Sequence, residues 1–162
     1  SDLKDKIAIF GASYGGYAAL AGATFTPDLY ACAISYVGPS NLFTLLNNLP
    51  SYWEPEKEML YEMIGNPIKD SLLLYNASPV FHVENIKAPL FIAQGGNDPR
   101  VNKGESEQMV DALRNRDVNV VYMLKENEGH GFKLEENRLA FYQTLIGFLT
   151  ENMPSNGINP NP

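Results

Sequence analysis

The stretch from Ile7 to Tyr17, IAIFGASYGGY, constrains the fold more than any other part of this chain. Four consecutive apolar residues, Ile7 to Phe10, run straight into Gly-Ala-Ser-Tyr-Gly, and small or apolar residues follow from Tyr17 to Ala23. A continuous apolar run is the pattern of a strand buried on both faces of a parallel sheet. G-x-S-x-G between a strand and a helix predicts a sharp turn that leaves the serine, Ser13, on a strained and accessible apex. Gly11 and Gly15 are expected to remove the Cβ atoms that would block the close strand–helix approach. The bland alternative is a glycine-rich connector, which the strand-turn-helix context disfavours.

The remaining organisation follows from periodicity and punctuation. After a first helix ending near Thr26-Pro27-Asp28, residues 30–37 read as a second buried strand, closed by Gly38-Pro39-Ser40. Residues 41–48 and 54–64 read as two short helices, the second carrying Met59, Leu60, Met63 and Ile64 at helical spacing and stopped by Gly65-Asn66-Pro67. Residues 70–76 read as another short helix. Residues 90–94 form a third strand that ends in Gly95-Gly96-Asn97-Asp98-Pro99-Arg100, and residues 118–124 form a fourth. The helix between them, residues 103–115, presents Ser106, Met109, Val110 and Leu113 as an i, i+3, i+4, i+7 stripe. A last helix, residues 134–151, is expected to bury Leu139, Tyr142, Ile146 and Leu149. Alternating strands and helices predict an α/β fold with about four parallel strands flanked by helices in three layers. Residues 153–162, rich in Asn, Pro and Gly, are expected to be a flexible tail.

Composition narrows the function classes. With 162 residues, 44% of them hydrophobic and 19% charged, the chain is long enough for one domain with a real core. A net charge of −7 argues against nucleic acid or an anionic membrane surface as partner, because phosphate binding is driven by cationic side chains. No apolar run approaches the ~18 residues of a membrane span. Cys32 is the single cysteine, which rules out an intrachain disulfide and a thiolate metal cluster; in YACAISYV it reads as a buried small hydrophobe. Residues 1–6, SDLKDK, lack the apolar core of a signal peptide. No repeat, metal motif or phosphate loop occurs, and no cofactor is expected.

The chemistry comes from three loops. A serine hydroxyl becomes a nucleophile at neutral pH only with a base at hydrogen-bond distance and a carboxylate to orient that base. Ser13, Asp98 and His130 follow the first, third and fourth strands, in the order Ser, Asp, His, so all three lie at the C-terminal edge of the sheet where such folds gather ligands. His82, the other histidine, precedes the third strand and so falls at the opposite edge, as a structural or surface residue. His130 lies between Gly129 and Gly131 in the loop before the last helix. Asp98 could also be a plain turn aspartate, since N-D-P is turn chemistry; Asp28, Asp70, Asp111 and Asp117 sit at helix ends or faces and are worse placed.

GASYGGY around Ser13, QGGNDPRV around Asp98 and EGHGF around His130 together resemble the catalytic domain of the prolyl oligopeptidase family of serine peptidases, which includes dipeptidyl and acylaminoacyl peptidases. The likeness runs from about residue 7 to 152 and includes VGPSNL, YWEPE and ENRLAFY. The resemblance implies Ser13 as nucleophile, His130 as base, Asp98 as orienting acid and the Tyr14 N–H as an oxyanion donor. It also implies that Arg100 holds a substrate carbonyl or carboxylate, for which a guanidinium is suited, against the alternative of a surface arginine. Leu42 and Leu45 fall where the family lines its specificity pocket; aliphatic residues there give weak ring stacking and leave proline specificity open. Tyr17 and Tyr36 are expected to pack rather than bind, Tyr14 less so.

The resemblance also implies what this stretch does not contain. Ser13 would follow the fifth strand of a complete α/β-hydrolase sheet, so residues 1–152 are expected to correspond to the C-terminal half of such a domain, without a propeller and without the upstream tyrosine that supplies a second oxyanion donor. Losing one such donor costs about a hundredfold to a thousandfold in rate. The strand from Ile7 to Phe10 would then be a sheet edge and a template for self-association, giving a homo-oligomer. Three functions stay open from the residues: a peptidase acting on short peptides, a carboxylesterase using the same triad on small esters, and a catalytically inert module. The compartment is not legible.

Overall fold

A computed structural model of the chain describes residues 6–153; of the expected tail, residues 153–162, all but Met153, which closes the last helix, lies outside the described residues. Four strands, β1 (Ala8–Ala12), β2 (Cys32–Tyr36), β3 (Leu90–Gly95) and β4 (Val120–Lys125), form one parallel sheet whose spatial order is the chain order. Ala8 lies opposite Cys32, Ala33 opposite Leu90, and Leu90 opposite Val120. The helices are α1 (Tyr14–Phe25), α2 (Leu42–Asn47), α3 (Lys57–Ile64), α4 (Ser71–Ala77), α5 (Gly104–Arg114) and α6 (Glu135–Asn152). Among the described residues no helix is long and apolar enough to cross a membrane.

Side-chain alternation along the central strands builds two core layers. Ala33, Leu90 and Ile92 face Leu20 and Ala23 of α1 and Met109, Val110 and Leu113 of α5. Cys32, Ile34, Phe91 and Ala93 face Phe141, Leu145 and Phe148 of α6 on the other side. All of β3 is buried, whereas β1 is an edge strand and its Phe10 is 52% exposed. The apolar run at Ile7 to Phe10 therefore does not denote burial on both faces. Between β2 and β3 the chain makes the expected helical excursion, held by a small third core of Leu42, Leu46 and Leu74.

Two apolar stripes are assigned differently by the structure. On α6 the buried residues are Asn137, Phe141, Leu145 and Phe148; of the expected stripe Leu149 packs partly buried against that core, while Leu139, Tyr142 and Ile146 are more than half exposed. This helix is apolar on two faces, and the face with the larger rings packs, because Phe141 stacks between Phe91 and Tyr36. On α3 nothing is buried; Met59 and Met63 point outward, and only Tyr61 and Ile64 reach the third core.

Candidate active site

The turn from β1 to α1 has the strain that its sequence predicts. Ser13 sits at φ 56°, ψ −120°, in a region that side-chain-bearing residues rarely enter. Its N–H is tied to the Tyr36 carbonyl at 2.8 Å. A serine just before a helix ordinarily caps it, but Ser13 makes no such bond, and its Oγ lies 2.9 Å from His130 Nε2 instead. The role of Gly11 is as expected: a Cβ there would lie 2.0 Å from the Gly15 carbonyl oxygen. Gly15 differs, since a Cβ on it would meet nothing within 4 Å. The restriction comes from the strand side alone.

His130 Nδ1 lies 2.7 Å from Asp98 Oδ2, completing a path from Ser13 Oγ through the imidazole to the carboxylate. With the ring proton on Nδ1, the histidine donates to Asp98 and accepts from Ser13. Asp98 is 7% exposed, and its Oδ1 accepts the N–H groups of Arg100 and Val101, each at 2.9 Å. N-D-P-R is thus both a turn and a carboxylate clamp. The chain order Ser, Asp, His has brought together the three residues chosen from sequence, and His82 lies apart, its Nε2 3.1 Å from the Tyr75 carbonyl.

The two loops bearing Asp98 and His130 are stitched to one another. The Asn97 N–H donates to the Glu128 carbonyl at 2.8 Å, and the Asn97 side chain donates to the Glu126 carbonyl at 2.8 Å. Gly95 permits the approach, because a Cβ there would sit 2.1 Å from the Gly129 carbonyl oxygen. Tyr36 packs as expected, its ring against Phe132 and Phe141, and its hydroxyl also accepts the Phe132 N–H just beyond Gly131. Burial pushes the Tyr36 phenol pKa up.

Three polar residues that support the site carry no motif in the sequence. Gln94, fully buried at the end of β3, donates to Asp98 Oδ2 at 3.3 Å and to the Val101 carbonyl at 3.0 Å, and accepts from the Ser106 hydroxyl. Glu128, buried two residues before His130, accepts the N–H groups of Lys133 and Leu134 at 2.8 and 2.9 Å, and the Asn137 amide at 2.8 Å. Burial alone would raise its pKa, but the Lys133, Asn137 and Leu134 donors outweigh it and hold the carboxyl below the ordinary carboxylate range. Glu105, buried at the start of α5, accepts the N–H groups of Ser40 and Asn41. Its pKa is raised by burial, against the opposing pull of Thr44, Ser40 and Asn41. The one available signal was a polar residue inside an otherwise apolar run, most visible for Gln94 in LFIAQGG.

Two cavities adjoin the site, one reaching Tyr14, the neighbour of Ser13, and the other reaching His130. One, of about 240 Å³, is lined by Tyr14, Tyr17, Pro39, Leu42, Leu45 and Ile64 among others, so both expected leucines belong to it. The other, about 680 Å³, is lined by His130, Arg100, Tyr52, Pro99, Lys133 and Leu134 among others. Arg100 is exposed and contributes only its backbone N–H to a hydrogen bond among the described residues. Tyr14 is 77% exposed and opens α1, where a first-turn N–H has no intrahelical acceptor.

With this geometry in hand, the similarity to known proteins is extensive. The chain is 47% identical over 150 residues to dipeptidyl aminopeptidase BIII of Pseudoxanthomonas mexicana, covering 91% of this chain and 22% of that protein. It is 38% identical over 151 residues to dipeptidyl peptidase family member 6 of Caenorhabditis elegans, covering 91% and 20%. The chain thus spans about a fifth of the length of the curated relatives it matches. Among solved structures, a puromycin-hydrolyzing peptidase of Mycobacterium tuberculosis superposes with a TM-score of 0.87 at 27% identity, over 96% of this chain and 23% of that one. An acylaminoacyl peptidase in complex with Z-Gly-Gly-Phe-chloromethyl ketone gives a TM-score of 0.82 at 25% identity, over 96% and 25%. The fold is that of the α/β-hydrolase peptidases. The profile of the prolyl oligopeptidase family matches residues 3–156, and the chain belongs to that family.

Proposed function

We propose that this chain carries the acyl-transfer centre of a serine peptidase acting on short peptides. The hydrogen-bonded path Ser13 Oγ–His130–Asp98 carries the proposal. Ser13 Oγ attacks the scissile carbonyl while His130 Nε2 takes its proton, and Asp98 stabilises the imidazolium that results. The Tyr14 N–H donates to the developing oxyanion, a role worth about a hundredfold to a thousandfold for a single donor. His130 then protonates the leaving amine, and water attacks the acyl-enzyme by the same proton path in reverse. No step draws on a cofactor.

Side-chain chemistry around the centre supports a peptide substrate. The apolar cavity beside Tyr14 receives the acyl-side residue, and Arg100, in the cavity that reaches His130, donates to a substrate carbonyl or carboxylate. Similarity to dipeptidyl peptidases and to an acylaminoacyl peptidase held by a peptidyl chloromethyl ketone points the same way. A carboxylesterase would use the same triad but has no need of Arg100. Assay of aminoacyl-peptide chromogens beside p-nitrophenyl esters separates the two: Arg100→Gln is expected to raise KM for the peptides by about tenfold and leave small esters within about twofold. No effect of Arg100→Gln on either substrate, with the esters turned over faster than the peptides, favours the esterase. No turnover of either by a folded chain favours the inert module.

A further inference from the structure

The wall of the apolar cavity is held from behind by a buried carboxyl group. Pro39, Leu42 and Leu45 belong to the β2–α2 loop and the start of α2. That loop turns its backbone inward: the N–H groups of Ser40 and Asn41 both donate to Glu105 Oε2, at 3.0 and 2.9 Å, and the Ser40 hydroxyl donates to the Glu105 carbonyl at 2.6 Å. The other carboxyl oxygen, Oε1, is hydrogen-bonded to the Thr44 hydroxyl, one residue before Leu45. Gln108, one turn on along α5, joins the same set by donating to Thr44 Oγ1 at 3.0 Å and accepting from the Asn41 amide at 2.9 Å. Glu105 is 2% exposed, Ser40 is fully buried and Asn41 is 6% exposed.

Glu105 stands seven residues after Asp98, at the far end of the loop that bears Asp98, Arg100 and Val101. One side chain therefore joins the segment that orients the base to the segment that shapes the cavity. We propose that Glu105 is a positioning residue for acyl-side specificity: through Ser40, Asn41 and Thr44 it fixes the Pro39–Leu42–Leu45 wall at a set distance from the Ser13 centre.

This rests on the acyl-transfer function above, but the hydrogen-bond pattern separates it from a requirement for charge. A glutamine at this position satisfies every contact, its Oε1 accepting the two N–H groups and its Nε2 donating to Thr44, which then donates to the Asn41 carbonyl 3.1 Å away. An alanine keeps only the bond from the Ser40 hydroxyl to the main-chain carbonyl of residue 105 and loses every contact of the carboxyl group. It leaves two buried N–H groups unpaired, and the loop must move to hydrate them.

The test compares wild type, Glu105→Ala and Glu105→Gln on p-nitrophenyl acetate and p-nitrophenyl butyrate, which differ in how far the acyl chain enters the cavity. Glu105→Ala is expected to lose about tenfold or more in kcat/KM for butyrate, mainly through KM, against less than about threefold for acetate, with Glu105→Gln restoring both. Equal losses on the two esters, no loss, or failure of Glu105→Gln to restore would overturn the proposal. Thr44→Val keeps the side-chain shape, is expected to move in the same direction, and serves if Glu105→Ala does not fold. Amide hydrogen exchange at Ser40 and Asn41 reads the brace without catalysis. Exchange about tenfold faster in Glu105→Ala but unchanged in Glu105→Gln supports it even if wild type hydrolyses nothing, and equal exchange in all three contradicts it.

Discussion

A Cβ atom placed on Gly11 would lie 2.0 Å from the carbonyl oxygen of Gly15, far closer than an unbonded carbon and oxygen can come. The converse does not hold, since a Cβ on Gly15 meets open space. Gly11→Ala is therefore expected to cost about 1–3 kcal/mol or more, because β1 and α1 must separate. Gly15→Ala is expected to be neutral or to gain up to about 1 kcal/mol from helix propensity. Urea unfolding of both variants checks the contrast.

Glu105 and Glu128 are expected to give opposite pH dependences of stability. The folded-state pKa of Glu105 is raised by burial, so the folded chain binds more protons, and its contribution falls as pH rises from the unfolded value toward the raised one. Glu105→Gln should flatten that loss in the window above about pH 4.5. The Glu128 pKa is lowered: burial opposes the shift, but the donors Lys133, Asn137 and Leu134 prevail. Its contribution is present above the unfolded value and lost as pH falls through the folded one, so Glu128→Gln should lose stability at pH 7 and show less further loss in acid. Thermal unfolding across pH 3–8 reads both.

Asp98→Asn retains an oxygen for the Arg100 and Val101 N–H groups but presents an amide to His130 Nδ1, which favours the wrong tautomer. Hydrolysis is expected to fall by about four orders of magnitude with little change in unfolding midpoint. Loss of folding in parallel with activity would make Asp98 a turn residue first.

Among the described residues β1 pairs only with β2, and its other edge continues into an apolar surface. Phe10 is half exposed beside Phe141, and Leu139, Tyr142 and Ile146 stand outward on α6. We propose that two copies of this chain associate through that edge, since unpaired strand backbone flanked by apolar side chains is a pairing template. Sedimentation should find a dimer or larger species at micromolar concentration, weakened by Phe10→Lys. A stable monomer contradicts this.

The supersecondary plan and the triad were legible because each rests on a local signal: glycines at a turn, a proline-punctuated strand, and chain order along one sheet edge. The phase of α6 was not, since Leu139, Tyr142 and Ile146 recur at the same spacing as Phe141, Leu145 and Phe148, and only the rings of β3 and Tyr36 decide between them. Gln94, Glu105 and Glu128 were not legible either. Their partners are mostly backbone N–H and carbonyl groups, which leave no trace in residue identity, and for Glu105 they lie more than sixty residues away.

Labelling with a fluorophosphonate, mapped by peptide mass spectrometry, tests the acyl-transfer centre most directly. A single adduct on Ser13 is expected, absent from Ser13→Ala and slowed about a hundredfold or more in His130→Ala. A folded chain that forms no adduct at Ser13, or one that labels equally after either substitution, would contradict it.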